Sequence, residues 1–234
     1  MTSTPAAVPD ASTGRDALAL LGDRIRPVTL AGERSLPVLE PLRSVLPDGG
    51  LGRGTVVTVD GPLARSLTFA LVAEASGQGS WVALVGFESI GLLAAAELGV
   101  ALDRVVLVDP PPGTVVSTLA ALADAIDLLV VGPVRIRPSD ARRLGARIRE
   151  RGAVLIPTGT WWPEPADVVL SATGTWVGLG EGHGRLRARK VRVEATGRRR
   201  AARPRSVDLW LPGIDGEITL ADEAQVRSLA ERAG

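Results

Sequence analysis

The chain has 234 residues, 45% of them apolar and 23% charged, with a formal net charge of +1, which suits one folded domain with small appendages and excludes a largely disordered chain. It contains no cysteine, which excludes disulfides, thiolate metal sites and thiol nucleophiles. Its single histidine, His183, leaves a histidine-based catalytic triad one candidate, and a metal site there would have only carboxylates as further ligands, so we predict no metal site.

The beginning of the chain predicts a peripheral segment. Residues 1–13 are rich in proline, alanine, serine and threonine, which predicts a disordered N-terminus. Residues 14–35 predict a short amphipathic helix, at 16–25, followed by a linker. The first residues have no basic n-region and no apolar h-region, and no apolar run reaches about 18 residues. We therefore expect a soluble, cytoplasmic protein that does not span a membrane.

A core domain is predicted over residues 36–212, and it begins with alternating strands and helices. Runs of valine, leucine and isoleucine predict strands at residues 55–60, 81–85, 105–108, 128–131 and 153–156. Helical spacing of apolar residues predicts helices at residues 66–76, 90–98, 114–125 and 139–151. Continuous apolar strands that alternate with helices are typical of a parallel sheet covered on both faces. The predicted fold class is therefore α/β.

The pattern changes after residue 157, where strands follow one another without helices. They are predicted at residues 168–172, 175–179, 186–194 and 206–211, with a glycine-rich hairpin turn at residues 180–184. The parallel sheet should therefore be extended by antiparallel strands. Residues 213–234 predict a C-terminal helical tail, with the helix at residues 222–232.

The turn after the first core strand stands where a P-loop would lie. A P-loop, G-x-x-x-x-G-K-[ST], wraps phosphates with backbone N–H groups, while its lysine offsets their charge and its Ser/Thr holds Mg²⁺. Here Gly61 and Pro62 are followed by Arg65 and Ser66, and the second glycine and the lysine are missing. Arginine is too bulky for the role of that lysine. We interpret the loop as a degenerate strand-to-helix turn that binds no nucleotide.

The strand at residues 128–131 lacks a second element of phosphate chemistry. An active NTPase ends this strand with an acidic residue near Mg²⁺, but here Gly132 and Pro133 follow. Because two independent elements are missing from a chain that keeps the scaffold, we predict a pseudo-ATPase, without catalytic residues.

Charge is distributed unevenly along the chain. Residues 1–140 carry a net charge of −5, residues 141–205 of +10 and residues 206–234 of −4. Residues 185–205 alone contain ten bases and one acid, Glu194. Such a block often contacts a polyanion or an acidic partner. The alternative is a solvated edge strand whose arginines deter edge-to-edge pairing.

Seven residues are candidates for binding DNA or a partner protein: Arg135, Arg137, Trp161, Trp162, Arg198, Arg199 and Arg200. Two adjacent tryptophans in a turn cannot both face one core, so we expect at least one to be exposed, for base stacking or as a protein hot spot. The alternative is that they pack against the neighbouring sheet. The arginines suit phosphate contacts rather than base contacts, or they are simply solvated.

Several segments resemble RecA recombinases. Residues 46–62, with Gly-Gly-Leu, a Gly-Arg-Gly turn, an apolar strand and Gly-Pro, resemble the stretch that leads into the RecA P-loop. Glu88 and residues 97–105 resemble the stretch from the catalytic glutamate of RecA to its Leu-Gly-Val-Asp segment. Residues 128–131 fall at the Walker B strand, and residues 190–194 at a late basic strand. The resemblance covers about residues 36–196 and implies a RecA-like core.

The chain is too short for the large C-terminal domain of RecA and leaves little room for its two DNA-binding loops. In this respect it resembles ImuA-type proteins, the RecA-like accessory factors of bacterial SOS mutagenesis, and most of all their actinobacterial ImuA-prime branch. The resemblance implies a protein without ATP hydrolysis or cofactor. It also implies two partners, the catalytically dead Y-family polymerase homologue ImuB and the error-prone C-family DNA polymerase. The arginine-rich surface adds DNA as a further candidate partner.

Two other functions fit the same residues. One is a divergent but active ATPase that uses Arg65 and Glu88. The other is a SulA-like inhibitor of cell division, which shares the RecA-like core without a P-loop. Nucleotide binding would distinguish the first, and binding to the tubulin-like division protein would distinguish the second.

Overall fold

The computed structural model describes residues 34–180 and 183–221. The disorder predicted for residues 1–13, the helix predicted at residues 16–25 and the helix predicted at residues 222–232 lie outside these residues. Within them, no helix is long and apolar enough to cross a lipid bilayer.

Strands and helices follow the predicted alternation up to residue 157 and then give way to strands. The strands are β1 (Ser35–Pro37), β2 (Gly50–Gly52), β3 (Val57–Asp60), β4 (Val82–Val85), β5 (Val105–Val108), β6 (Leu128–Val131), β7 (Val154–Pro157), β8 (Val168–Gly180), β9 (His183–Gly197), β10 (Arg205–Trp210) and β11 (Thr219–Leu220). The helices are α1 (Glu40–Arg43), α2 (Ala64–Gly77), α3 (Leu92–Glu97), α4 (Val115–Leu122) and α5 (Pro138–Arg151). Short 3₁₀ turns occupy Pro47–Gly49, Leu102–Arg104 and Arg199–Ala201.

The main strands form one row in the order β5-β4-β6-β7-β3-β8-β9-β10-β11. The strands from β5 to β7 are parallel to one another, and β3 is parallel to β8. Strands β7 and β3 join the two parts, because the amide of Leu155 donates to the carbonyl of Thr55 at 3.1 Å and the amide of Gly159 to that of Val59 at 2.8 Å. The outer strands β9, β10 and β11 are antiparallel. The α/β fold with an antiparallel extension is thus confirmed.

Strand β8 corrects one predicted boundary. Residues 168–172 and 175–179 were expected to form two strands, but β8 runs through both without a break. Gly174, which lies between the two predicted strands, pairs with Val191 of β9. A Cβ atom at Gly174 would lie 2.7 Å from the carbonyl oxygen of Lys190, so the glycine permits close strand approach rather than a turn.

The pair β8–β9 forms an arm that extends beyond its neighbours. Only the first part of β8, Val168 to Ser171, pairs with β3, while the rest of β8 pairs with β9 alone, as far as Gly180 opposite His183. The arm therefore projects from the edge of the sheet at which β3 ends. A hydrogen bond from Arg189 of the arm to Ser66 of α2 holds the arm above the start of that helix.

Strands β4, β6 and β7 are buried on both faces, which explains their continuous apolar sequences. Helix α2 packs Leu67 and Leu71 against one face, and α5 packs Leu144 and Ile148 against the other. Strand residues alternate between these clusters, as expected from the two-residue period of a strand. Each fully buried aliphatic side chain contributes about 1.5–3 kcal/mol, so this two-sided core is the main source of stability.

Candidate functional site

The carboxyl ends of the parallel strands enclose a cleft, which we call the carboxyl-end cleft. Open α/β sheets bind ligands at this edge, outside the carboxyl ends of the strands. The cleft has a volume of about 340 Å³ and collects residues that follow β3, β4, β6 and β7. Its lining comprises Ala64, Arg65, Gly86, Phe87, Glu88, Ser89, Pro133, Thr158 and Gly159. This is where a nucleotide would lie if the P-loop were intact.

The turn from β3 into α2 is too short to surround a phosphate. Only residues 61–63 separate the two elements. Gly61 has a φ of 93° and passes close to β8, since a Cβ atom there would lie 3.1 Å from the carbonyl oxygen of Ala172. The amide of Ala64 already donates to the carbonyl of Gly61 at 3.1 Å, and the amide of Leu67 to that of Leu63 at 2.9 Å. These N–H groups are therefore used within the turn instead of pointing at a ligand.

The hydroxyl of Ser66, which would hold Mg²⁺ in a P-loop, is bonded to an arginine of the arm. Nη2 of Arg189 donates to Oγ of Ser66 at 3.1 Å, and its Nε donates to the carbonyl of Leu211 at 2.8 Å. The guanidinium also lies 4.9 Å from the ring centre of Trp176, at cation–π distance. Burial lowers the pKa of Arg189 from its ordinary value. The guanidinium of Arg189 thus stands beside the hydroxyl that would hold Mg²⁺ in a P-loop.

At the end of β6, the backbone leaves no room for an acidic side chain. The amide of Gly132 donates to the carbonyl of Val85 at 2.9 Å, which brings the two strand ends together. A Cβ atom on Gly132 would overlap the carbonyl oxygen of Gly86. The lack of an acidic residue at the end of β6 is therefore a property of the local backbone as well as of the sequence.

Two charged residues of opposite sign do meet in the carboxyl-end cleft. Arg65 lies in the first turn of α2, Glu88 follows β4, and both are exposed at the cleft. Sequence reasoning named this pair for the divergent ATPase, and the fold brings its members to one cleft. The loop Gly132–Pro138 follows β6 and opens at the same edge, with Arg135 and Arg137 exposed.

The expectation of an exposed tryptophan in the next loop is wrong. Trp161 and Trp162 are both half-buried and pack against the same apolar cluster, with ring centres 5.9 Å apart in an edge-to-face contact. Nε1 of Trp161 donates to the carbonyl of Thr158 at 3.0 Å. Edge-to-face stacking lets both rings pack against one apolar surface, so two adjacent tryptophans in a turn need not expose either ring. The exposed tryptophan is Trp176 of the arm, which is 43% exposed and was not singled out from the sequence.

Arg198, Arg199 and Arg200 lie at the opposite edge of the sheet. Because β9 is antiparallel to β8, its last residue, Gly197, pairs with Val168 at the beginning of β8. The three arginines follow directly, at the amino ends of β3 and β8. The seven candidate residues therefore divide into two groups at opposite edges and do not form one site.

Of the twelve arginines between residues 141 and 205 whose side chains the structure describes, seven have a carboxylate partner. On α5, Arg142 pairs with Glu164 at 2.9 Å, and Arg147 pairs with Asp124 at 2.6 Å. Hydrogen bonding to Asp124 raises the pKa of Arg147. On β9, Arg192 pairs with Glu194 at 3.2 Å. Part of the formal charge of +10 over residues 141–205 is thus offset within separate ion pairs.

Comparison with known proteins matches the chain to one protein family and to one relative of known sequence. The profile of the MT3502 N-terminal domain family matches residues 44–164, which is more than half of the chain and includes the carboxyl-end cleft. The chain is also 41% identical over 112 residues to the uncharacterized protein Rv3395c of Mycobacterium tuberculosis. That alignment covers 47% of this chain and 53% of the relative, so the chain spans about half the length of the curated relative it matches.

Proposed function

The chain belongs to the MT3502 N-terminal domain family, and on this premise we propose that it is a non-catalytic, RecA-like accessory factor of SOS-induced translesion synthesis, of the ImuA-prime type. In this proposal it acts in the cytoplasm and bridges an ImuB-like polymerase homologue and an error-prone C-family polymerase. DNA is a secondary contact. The proposal rests on the resemblance of residues 36–196 to RecA and on the chemistry of the carboxyl-end cleft.

The bond between Arg189 and Ser66 is the observation that carries the non-catalytic part. Phosphoryl transfer needs Mg²⁺ and a lysine near the β- and γ-phosphates. In this chain a guanidinium occupies the neighbourhood of the cation, and the arm that supplies it packs on the turn where phosphates would bind. A bound Mg-nucleotide would have to displace both the guanidinium of Arg189 and the arm from this turn. The scaffold then serves as a rigid platform for protein contacts.

The strand order supports the RecA-like part. Strand β7 lies between β3, which leads into the degenerate P-loop, and β6, which stands at the Walker B position. RecA-like ATPases also place a strand between these two. The scaffold of the family is thus compatible with the one that the resemblance implies, while the residues of phosphate chemistry are replaced.

We expect no stabilisation of the chain by Mg-ATP. A ligand present at 100 times its Kd would stabilise the folded state by about 2.7 kcal/mol, which a thermal melt detects readily. Melting curves with and without millimolar Mg-ATP should therefore coincide, and ATP turnover should match a blank purification. Turnover that is lost in Arg65→Ala or Glu88→Gln would contradict the proposal.

A divergent ATPase is the second candidate function, and it is favoured by the presence of Arg65 and Glu88 in one cleft. The same two variants test it. In that case Mg-ATP would raise the melting temperature of the unmodified chain, and each substitution would reduce the rise. The exposed Arg143→Ala on α5 is a matched control, because it removes the same charge from a residue that does not line the cleft.

Partner binding is the direct test of the accessory role. We expect the purified chain to form a stable complex with a purified ImuB-like polymerase homologue, detected as co-elution in size-exclusion chromatography. An ATP-dependent complex would contradict a non-catalytic platform. A chain that binds neither the homologue nor the C-family polymerase would contradict the bridging role.

A further inference from the structure

A second cleft lies at the opposite edge of the sheet, at the amino ends of β3 and β8. We call it the amino-end cleft. Its volume is about 330 Å³, and its walls come from the segment before β1, the turns on either side of β2, the start of β8 and the 3₁₀ turn after β9. Since it is formed by the amino ends of the strands, it shares none of its lining with the carboxyl-end cleft.

The amino-end cleft combines an apolar floor with a charged rim. Leu46, Leu51 and Val57 are almost fully buried and form part of the floor. The rim contains five arginines and two aspartates: Arg34, Arg53, Arg198, Arg199, Arg200, Asp48 and Asp167. The positive excess at the rim favours a negatively charged ligand, and the floor favours one with an aliphatic group.

Two loops with unusual backbone conformations face each other across this cleft. Asp48 has a φ of 57° and Arg199 a φ of 54°, and among the described residues they are the non-glycine positions with positive φ. Nη1 of Arg200 donates to Oδ2 of Asp48 at 2.7 Å and so joins the two loops. Left-handed residues other than glycine are uncommon and cluster at ligand sites. Here both occur at one cleft.

The ion pairs leave two of the five arginines of the lining, Arg34 and Arg199, without a carboxylate partner among the described residues. Of these two, Arg199 stands between two arginines that are held by ion pairs. Arg198 binds Asp167 at 3.3 Å and the carbonyl of Ala166 at 3.1 Å, while Arg200 binds Asp48. Arg53 pairs with Asp127 below the rim. Arg199 is exposed, lines the cleft and makes no ion pair with any residue that the structure describes.

From this arrangement we infer that the amino-end cleft binds an acidic peptide segment of a partner protein, with a carboxylate on Arg199 and an aliphatic side chain on the floor. Nucleic acid suits the cleft less well, because its lining has no aromatic ring for base stacking. The charged groups stand at the open rim, with the side chain of Arg200 69% exposed. This suits a peptide laid across the rim better than an enclosed small molecule.

The inference names a partner chemistry for the accessory role, and in that sense it rests on the proposed function. It can be tested with fluorescein-labelled synthetic heptapeptides that each contain acidic and aliphatic residues, by fluorescence polarisation on the full chain. Two control libraries replace the aliphatic residues by serine or the acidic residues by their amides. We expect binding from the first library and not from either control.

Arg199→Glu should weaken the best peptide by at least about tenfold, which corresponds to about 1.4 kcal/mol. Arg199→Lys keeps the charge and should retain most of the affinity. Arg143→Glu makes the same charge change at another exposed arginine, and we expect it to leave the affinity unchanged. Melting curves of the three variants establish that each is folded.

The inference is overturned if no peptide binds at millimolar concentration, if the serine library binds equally well, or if Arg143→Glu weakens binding as much as Arg199→Glu. Binding of oligo-dT that Arg199→Glu abolishes would assign the cleft to phosphates instead. If the ImuB-like protein binds and Arg199→Glu does not affect that complex, this inference fails while the proposed function stands. If peptides bind and the ImuB-like polymerase homologue does not, the proposed function fails while this inference stands.

Discussion

Replacing Asp127 by alanine is expected to lower the free energy of unfolding by about 3–5 kcal/mol, the usual loss when one partner of a buried ion pair is removed. Oδ1 of Asp127 accepts a hydrogen bond from Nη1 of Arg53 at 2.8 Å. The two side chains are only 3% and 17% exposed. Without the carboxylate, the guanidinium of Arg53 remains buried without a compensating charge.

The position of this ion pair increases its effect on the fold. Arg53 precedes β3, and Asp127 precedes β6, so the pair joins the amino ends of two strands that lie on either side of β7. The carbonyl of Asp127 also accepts from the amide of Val154, and its Oδ2 from the amide of Trp81 at 3.4 Å. Loss of the side chain therefore loosens the amino ends of β4 and β6 together.

Urea denaturation followed by circular dichroism measures the loss as a lower midpoint at an unchanged slope. Glu194→Ala is the matched control, because it removes a carboxylate from an exposed ion pair with Arg192, and exposed pairs contribute little. Asp127→Asn, which keeps an acceptor for Trp81, should lose less than Asp127→Ala. Equal midpoints for Asp127→Ala and Glu194→Ala would show that the buried pair does not stabilise the fold.

Local sequence signals were sufficient for the elements of the parallel part. Strands β5 and β6 have the predicted bounds, because runs of valine and leucine between turns favour strands. Only β6 is buried on both faces, while β5 at the end of the row leaves Leu107 57% exposed. Helix α5 starts one residue before its predicted position. Pro138 suits its first turn, and Gly152, with a φ of 72°, ends it in the left-handed conformation.

The arrangement of the candidate sites could not be predicted in the same way. The bond between Arg189 and Ser66 joins residues 123 positions apart, and nothing near either residue indicates the other. Arg198 and its neighbours reach the amino-end cleft only because β9 is antiparallel to β8. The edge at which a loop emerges depends on strand direction, which is a property of the whole sheet.

The two edges of the sheet have different chemistry, and this difference bears on how the chain would act as a platform. At the carboxyl end, the hydroxyl of Ser66 accepts a hydrogen bond from Arg189 and the amide of Ala64 donates within the turn, while Arg65 and Glu88 are exposed at the cleft. At the amino end, Arg199 and an apolar floor are available to a ligand. We therefore expect partner contacts to be sensitive to substitutions at the amino end and insensitive to added nucleotide.

Gly132→Asp, which puts an acid directly after β6, is expected to destabilise the chain by at least about 3 kcal/mol and to confer no ATPase activity. Its Cβ atom would overlap the carbonyl oxygen of Gly86, and its charge would enter a buried position. Relief of the overlap requires the ends of β4 and β6 to separate, which breaks the bond between the amide of Gly132 and the carbonyl of Val85.

Two further variants separate the steric cost from the cost of the charge. Gly132→Ala introduces the overlap alone and should lose about 1–3 kcal/mol, as overpacking does. Gly77→Ala is the matched control, since a Cβ atom at Gly77 meets no atom within 4 Å, and it should be neutral or slightly stabilising. Midpoints of urea denaturation rank the three variants by stability. A Gly132→Asp protein that is as stable as the unmodified chain would contradict the steric argument. If it also turns over ATP, it would contradict the proposal that the scaffold is non-catalytic.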